Sequence, residues 1–123
     1  MTSIDGLATS FFSAIERGDL DAVRAAYAPH AVVWHNTDRR EQNVDENLRV
    51  LAWVVGNIAE RTYGEIRRVV VEDGFVQQHV LSGVGPHGAR FSLPAMMRVW
   101  VHDGQITRLD EYLDSAQVDM ITA

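Results

Sequence analysis

The hydrophobic period of this chain changes for good at Gly64. Before it, apolar residues recur at helical spacing, about every 3.6 positions; after it, they alternate as in strands. Helices first and long strands later predict an α+β fold, with the helices packed on a mostly antiparallel sheet. Ile4, Leu7, Ala8, Phe11, Phe12 and Ile15 form the first stripe, with Ser3 as cap and Gly18 as stop. A second helix starts at Asp19, carries Leu20, Val23, Ala26 and Tyr27, and is halted by Pro29. Ala31–Asn36 is a short β-prone run, and Thr37–Gln42 is polar and loop-like. Asn43 and Glu46 form a capping box for a third helix, whose buried stripe is Val44, Leu48, Leu51, Ala52, Val55, Ile58 and Ala59. Strands are predicted over Glu65–Glu72, Phe75–Leu81, Arg90–His102 and Gln105–Leu113. Asp73-Gly74 and Asp103-Gly104 mark tight turns, Gly83–Gly88 a longer one, and Ser115–Ile121 a short helix or ordered cap. A helix pair on one side of a strongly curved sheet makes a cone, and its open end is a natural small-molecule site.

With 123 residues and no repeat or linker, residues 1–123 are expected to form one domain. Hydrophobic residues make up 46% and charged residues 23%, a globular balance that leaves room for a core and one pocket. The net charge of -6, without a basic patch, argues against nucleic-acid binding. The absence of cysteine excludes disulfides, thiolate catalysis and cysteine-ligated metal. His30, His35, His79, His87 and His102 show no metal-binding spacing, so no metal and no cofactor are expected. Gly83, Gly85 and Gly88 cannot form a phosphate loop in a chain without lysine, and there is no nucleophile elbow. The N-terminus lacks a basic region followed by an apolar run, and no apolar stretch approaches a membrane span. The expected setting is cytoplasmic, away from membranes.

Candidate chemistry concentrates on the late strands. Leu109, Glu111 and Leu113 share a face. If that face is inward, Glu111 is a carboxylate between two leucines, either paired or perturbed into a usable acid or base. The alternative places it in solvent, at an interface or against an arginine. On the preceding strand, Arg98 lies between Met96 and Trp100; inward, it reaches Glu111, whereas inward Met97, Val99 and Val101 leave it exposed. Pro94 can reset that phase. His79 is either a hydrogen-bonded structural residue or a titratable pocket group, and His35 is the other candidate for the titratable group. Asn36 is a turn residue or an orienting group, and Trp34 is core or an aromatic wall. The candidate catalytic set is Glu111, His79, His35, Asn36 and Arg98; the candidate pocket set is Phe11, Ile15, Trp34, Met96, Trp100, Leu109 and Leu113.

The segments FFSAIERGDLDAVRAAYAPHAVVWHN and VWVHDGQITRLDEYLD resemble, respectively, the N-terminal half and the final hairpin of nuclear-transport-factor-2-like proteins. The likeness spans nearly the whole chain and is nearest to the SnoaL-like and limonene-epoxide-hydrolase-like branches. It implies a cone with a deep apolar pocket, often dimeric, in a superfamily that includes polyketide cyclases, epoxide hydrolases, ketosteroid isomerases and non-catalytic binding proteins. In the epoxide hydrolases a tyrosine and an asparagine end the first strand; Trp34 and Asn36 stand there, with Glu111 at the late carboxylate. The group's Arg-x-Asp pair is replaced in FVQQHVLSG by glutamines and His79. Against ketosteroid isomerases, Phe11 and Met96 occupy the oxyanion-hole positions, and neither donates a hydrogen bond. The resemblance therefore implies a SnoaL-like homodimer binding a small apolar organic ligand. The expected activity is cofactor-free acid–base chemistry (isomerisation, cyclisation or hydrolysis), with a non-catalytic binding or dimeric structural domain as the alternative.

Overall fold

The computed structural model describes residues 3–122. Helices α1 (Ile4–Arg17) and α2 (Leu20–Ala26) are followed by strands β1 (Tyr27–His35) and β2 (Glu41–Gln42), then helix α3 (Val44–Asn57). Four long strands, β3 (Ala59–Val71), β4 (Gly74–Val84), β5 (Arg90–His102) and β6 (Gln105–Leu113), lead to a final helix α4 (Ser115–Thr122). The helices pack on a curved six-stranded sheet of order β2-β1-β6-β5-β4-β3, antiparallel except for the β1–β6 pair. This is the α+β architecture the change of period predicts.

Local chemistry explains the helix ends. Ser3 Oγ accepts from the Gly6 N–H, and Gly18, at φ 76°, closes α1 by donating to the Ala14 and Ile15 carbonyls. Asn43 and Glu46 form a reciprocal capping box at the start of α3. Helix α1 buries Leu7, Ala8, Phe11, Phe12 and Ile15 against Phe75, Val99 and Ile106 of the sheet. The apolar stripe of α3 behaves differently. Within the helix Val44, Asn47 and Leu48 are buried, Leu51 lines a cavity, Val55 lies beside Gly18 and Ala52 is exposed; Ile58, just past the helix end, is buried in the cavity wall.

Several boundaries move. Pro29 stops no helix, because α2 ends at Ala26 and β1 is already under way at Tyr27. A residue before proline is pushed toward extended backbone, which suits Ala28 to a strand. The loop expected at Thr37–Gln42 contains β2, paired to β1 through Val33–Gln42 and Trp34–Glu41. Helix α3 stops at Asn57, and Ala59 opens β3 instead of ending the helix. Breaks in pairing between Ala59 and Thr62 and between Gly64 and Arg67, with positive φ at Glu60 and Glu65, bend β3. The first hairpin turns on Glu72 and Asp73, since Val71 pairs with Gly74. Asp103 and Gly104, both at positive φ, make the second turn as expected.

The register fixes which residues share the concave face. One row crosses five strands: Arg68, Gln77, Met97, Glu111 and His35 are successive partners. On β5, Met97 and Val99 are inward and buried. Met96, Arg98 and Trp100 therefore face outward, opposite to the reading that put them in the pocket. Pro94 does not rescue that phase, because β4–β5 pairing is continuous from Gly74–Trp100 to Val84–Arg90.

Candidate functional site

A cavity of about 400 Å³ lies between the helices and the concave face of the sheet, within the ordinary range for small organic ligands. Helix α1 contributes Phe11, Phe12 and Ile15, α3 contributes Leu51, Trp53 and Val54, and the sheet contributes Val33, Leu93, Met97, Leu109 and Leu113. Val118 and Ile121 of α4 close one side. The wall is predominantly apolar, so each polar group in it carries weight.

Glu111 and His35 form the central polar pair. Parallel pairing of β1 with β6 sets them side by side, and His35 Nε2 lies 3.0 Å from Glu111 Oε1. Their side chains are only 19% and 17% exposed, so water screens the contact weakly. Burial is the largest influence on His35 and pushes its pKa down, but the hydrogen bond and charge of Glu111, helped by Asp38, outweigh it. The net result lies above the usual value of 6.5. Across the cavity, Tyr27 donates to Asn47 Oδ1 at 2.8 Å. Burial, reinforced by the negative charge of Glu111, pushes the hydroxyls of Tyr27 and Tyr63 upward, so both stay protonated at neutral pH.

His79 lies in the same wall, 3% exposed, edge-on to Phe12 and Tyr63. Its Nδ1 is 2.8 Å from Gln77 Nε2. Burial lowers its pKa and Arg68 lowers it further, against an opposing pull from Glu111. The cavity thus holds two histidines whose surroundings drive them in opposite directions.

Other candidates lie elsewhere. Arg98 does not reach Glu111. It pairs with Asp73 at 2.6 Å, donates to the Val99 carbonyl and stacks on Trp100 at 4.4 Å, all on the outer face. Met96, on that face, is 43% exposed. Trp34 also points outward and meets the ring of Tyr112 edge-on, because its neighbours Val33 and His35 take the inward positions. Asn36 spends both ends of its amide on the backbone of Leu113, donating to the carbonyl and accepting from the N–H. It ties β1 to β6 and is not among the residues that line the cavity. Sequence reasoning missed Tyr27, Tyr63, Asn47, Gln77 and Met97 in or beside the cavity wall. Met97 follows once the phase of β5 is known, whereas Tyr27 was assigned to a helix and Tyr63 to no element. Among the described residues no group of three or more His, Asp or Glu side chains is placed to hold a metal ion, and no helix is long and apolar enough to cross a membrane.

Residues 8–109 match the SnoaL-like domain family. Among curated protein sequences, none matches this chain significantly. Solved structures give the same fold at low identity. An NTF2-like protein of unknown function from Burkholderia pseudomallei superposes at TM-score 0.84 with 20% identity, covering 100% of both chains. A proposed polyketide cyclase from Xanthomonas campestris pv. campestris gives 0.83 and 21%, covering 98% of this chain and 96% of its own. IdmH, a proposed polyketide cyclase from Streptomyces antibioticus, gives 0.83 and 18%, with 98% of each chain covered.

Proposed function

Because this chain belongs to the family of SnoaL-like domains, we propose that it is a cofactor-free acid–base enzyme, an isomerase or cyclase acting on an apolar metabolite with an enolisable carbonyl. The observation that carries this reading is the Glu111–His35 pair set into an apolar cavity. One oxygen of Glu111 is held by His35, and the other is left to act as base. In the proposed step, that oxygen takes a proton from the carbon beside the carbonyl, and the electron pair moves onto the carbonyl oxygen. Returning the proton to another carbon completes an isomerisation; attack by the enolate carbon on a second carbonyl, with Glu111 passing its proton to the new alkoxide oxygen, completes a cyclisation. His35, with its raised pKa, keeps a counter-charge beside the carboxylate above the usual histidine range. Epoxide hydrolysis has less support, because glutamines and His79 stand where the epoxide hydrolases carry an Arg-x-Asp pair, and Arg98, which an inward phase would have brought to Glu111, is on the other face. The protein is proposed to work as a cytoplasmic homodimer without metal.

The test is deuterium wash-in. A bicyclic ketone such as 1-tetralone in heavy water should exchange its α-protons faster with the protein than in buffer alone. Glu111→Gln should lower that rate by about 10²–10⁴-fold, the usual contribution of a general base, while leaving ketone affinity nearly unchanged. Binding without accelerated exchange for a panel of cyclic ketones would instead favour a ligand-binding protein.

A further inference from the structure

Gln77 is fully buried, at 0% exposed, and the reaction proposed above does not use it. It lies between a cation and a histidine: Arg68 Nε is 2.8 Å from its Oε1, and His79 Nδ1 is 2.8 Å from its Nε2. A guanidinium N–H can only donate, so the amide atom facing Arg68 must be the oxygen. The amide nitrogen then faces His79, and an amide nitrogen can only donate, so Nδ1 of His79 must accept. Arg68 is itself held in place by Asp5 Oδ1 at 2.9 Å and Thr9 Oγ1 at 3.0 Å, which tie it to α1.

From this chain of contacts we infer that Arg68, acting through Gln77, locks His79 as the neutral tautomer with its proton on Nε2, a fixed hydrogen-bond donor to an acceptor oxygen of the ligand. Nε2 bonds no described protein group, and no polar atom that is fully buried among the described residues lacks a partner, so Nε2 opens onto the cavity. The groups facing His79 agree with a neutral ring. Phe12 of α1 and Tyr63 of β3 present ring edges, Arg68 of β3 opposes a positive charge, and Glu111 of β6 is the one nearby group favouring it. His79 is then the donor that receives the carbonyl oxygen, and the enolate oxygen it becomes. Arg68 and Gln77 are positioning residues that touch no ligand. The assignment of the ligand atom rests on the function proposed above; the tautomer does not.

The tautomer is read directly by ¹⁵N NMR of histidine-labelled protein, with the His79 signals identified by their loss in His79→Asn. In the free wild-type protein, Nε2 should show the shift of a protonated nitrogen and Nδ1 that of an unprotonated one, over about pH 6 to 8. Gln77→Glu keeps the size and the Arg68 contact but replaces the donor by an acceptor, so the proton should move to Nδ1 or the ring should become charged. Arg68→Met should yield a mixture of tautomers, partly restored to the wild-type state by Arg68→Lys. A proton on Nδ1 in the wild type, or an unchanged Nε2–H tautomer in Gln77→Glu, would overturn the lock. Binding of 1-tetralone against its hydrocarbon counterpart, tetralin, tests the donor role. The ketone should be favoured about two- to tenfold in the wild type, one net hydrogen bond, and the preference should vanish in His79→Phe, which keeps a ring but has no N–H to donate. An equal preference in both proteins would refute the donor role. Failure of deuterium wash-in with the tautomer and the ketone preference intact would remove the proposed reaction and leave the lock standing.

Discussion

Replacing Glu111 by glutamine gives a stability test that needs no substrate. The substitution removes the charge that His35 faces at 3.0 Å but leaves an oxygen able to accept its Nε2–H. A hydrogen bond to a charged group contributes about 1.5–3 kcal/mol and a neutral one about 0.5–1.5, so the loss is about 1–2 kcal/mol while His35 is charged. The sign follows from the raised pKa of His35. A base whose folded-state value is raised stabilises the fold in full below its unfolded value of 6.5, and that stabilisation fades as pH rises through the folded value. The wild-type advantage over Glu111→Gln should therefore be larger at about pH 6 than at about pH 9 by about 1–2 kcal/mol. Removing a largely buried carboxylate also relieves desolvation, and that gain can make the variant the more stable protein at high pH. The relief is constant across this window, so it moves both values together and leaves their difference intact. Urea titrations at the two pH values, fitted with a common slope, measure that difference. His35→Gln should abolish it. A wild-type advantage that is flat with pH, or that grows toward pH 9, would refute the claim that the pair is an ion pair in the folded state.

Further outcomes follow from single contacts. Tyr27→Phe leaves the buried Asn47 Oδ1 without its donor and should cost about 1–3 kcal/mol in thermal or urea unfolding. At Gly74, φ is 156° and a Cβ would overlap the Val99 carbonyl oxygen, so Gly74→Ala should lower stability by about 3 kcal/mol or more, or prevent soluble expression. Gly56 lies on an exposed turn of α3 with no atom within 4 Å of a Cβ, so Gly56→Ala should raise stability by about 0.5–1 kcal/mol in the same assay. Val69, Tyr112 and Met96, 63%, 50% and 43% exposed on or near the outer face, are proposed to meet a second copy. Light scattering at micromolar concentration should give a dimer, and a charge at Met96 (Met96→Glu) should dissociate it; a wild-type monomer would end that proposal.

The sequence made the architecture legible because helix caps and turn residues act locally. Ser3, Gly18, the Asn43–Glu46 box and Asp103-Gly104 do in the structure what their chemistry predicts from a few neighbours. The position of Glu111 was legible for a similar reason, since Leu109 and Leu113 mark its face. The partner of Glu111 was not. His35 reaches it through a parallel pairing between strands 76 positions apart in the chain, which no local pattern encodes. The phase of β5 was equally hidden, because both of its faces are apolar: Met97 and Val99 pack inward while Met96 and Trp100 face outward. The stripe of α3 shows the same limit from another side. Apolar periodicity identifies a face that avoids water but does not distinguish one packed on neighbours from one lining a cavity.

The phase of β5 also bears on how two histidines in one cavity are pushed in opposite directions. Along the inner row, Gln77 and Glu111 are both partners of Met97, on either side of it. His79 stands two residues along β4 on the same face as Gln77, so its backbone is at least about 10 Å, two strand spacings, from that of Glu111, with Met97 between the strands. At that separation, and an effective dielectric of about 20, two unit charges interact by about 1.7 kcal/mol, appreciable but well below their energy in contact. Glu111 therefore outweighs burial at His35, which it touches, and only moderates His79, where burial and Arg68 together prevail. An inward Arg98 would have placed a cation in this row next to Glu111, competing with His35 for the carboxylate. Turned outward, Arg98 is held by Asp73 and Trp100, and Met97 insulates one polar cluster from the other. The outward phase of Arg98 is thus the arrangement that lets the proposed base and the proposed neutral donor share one pocket.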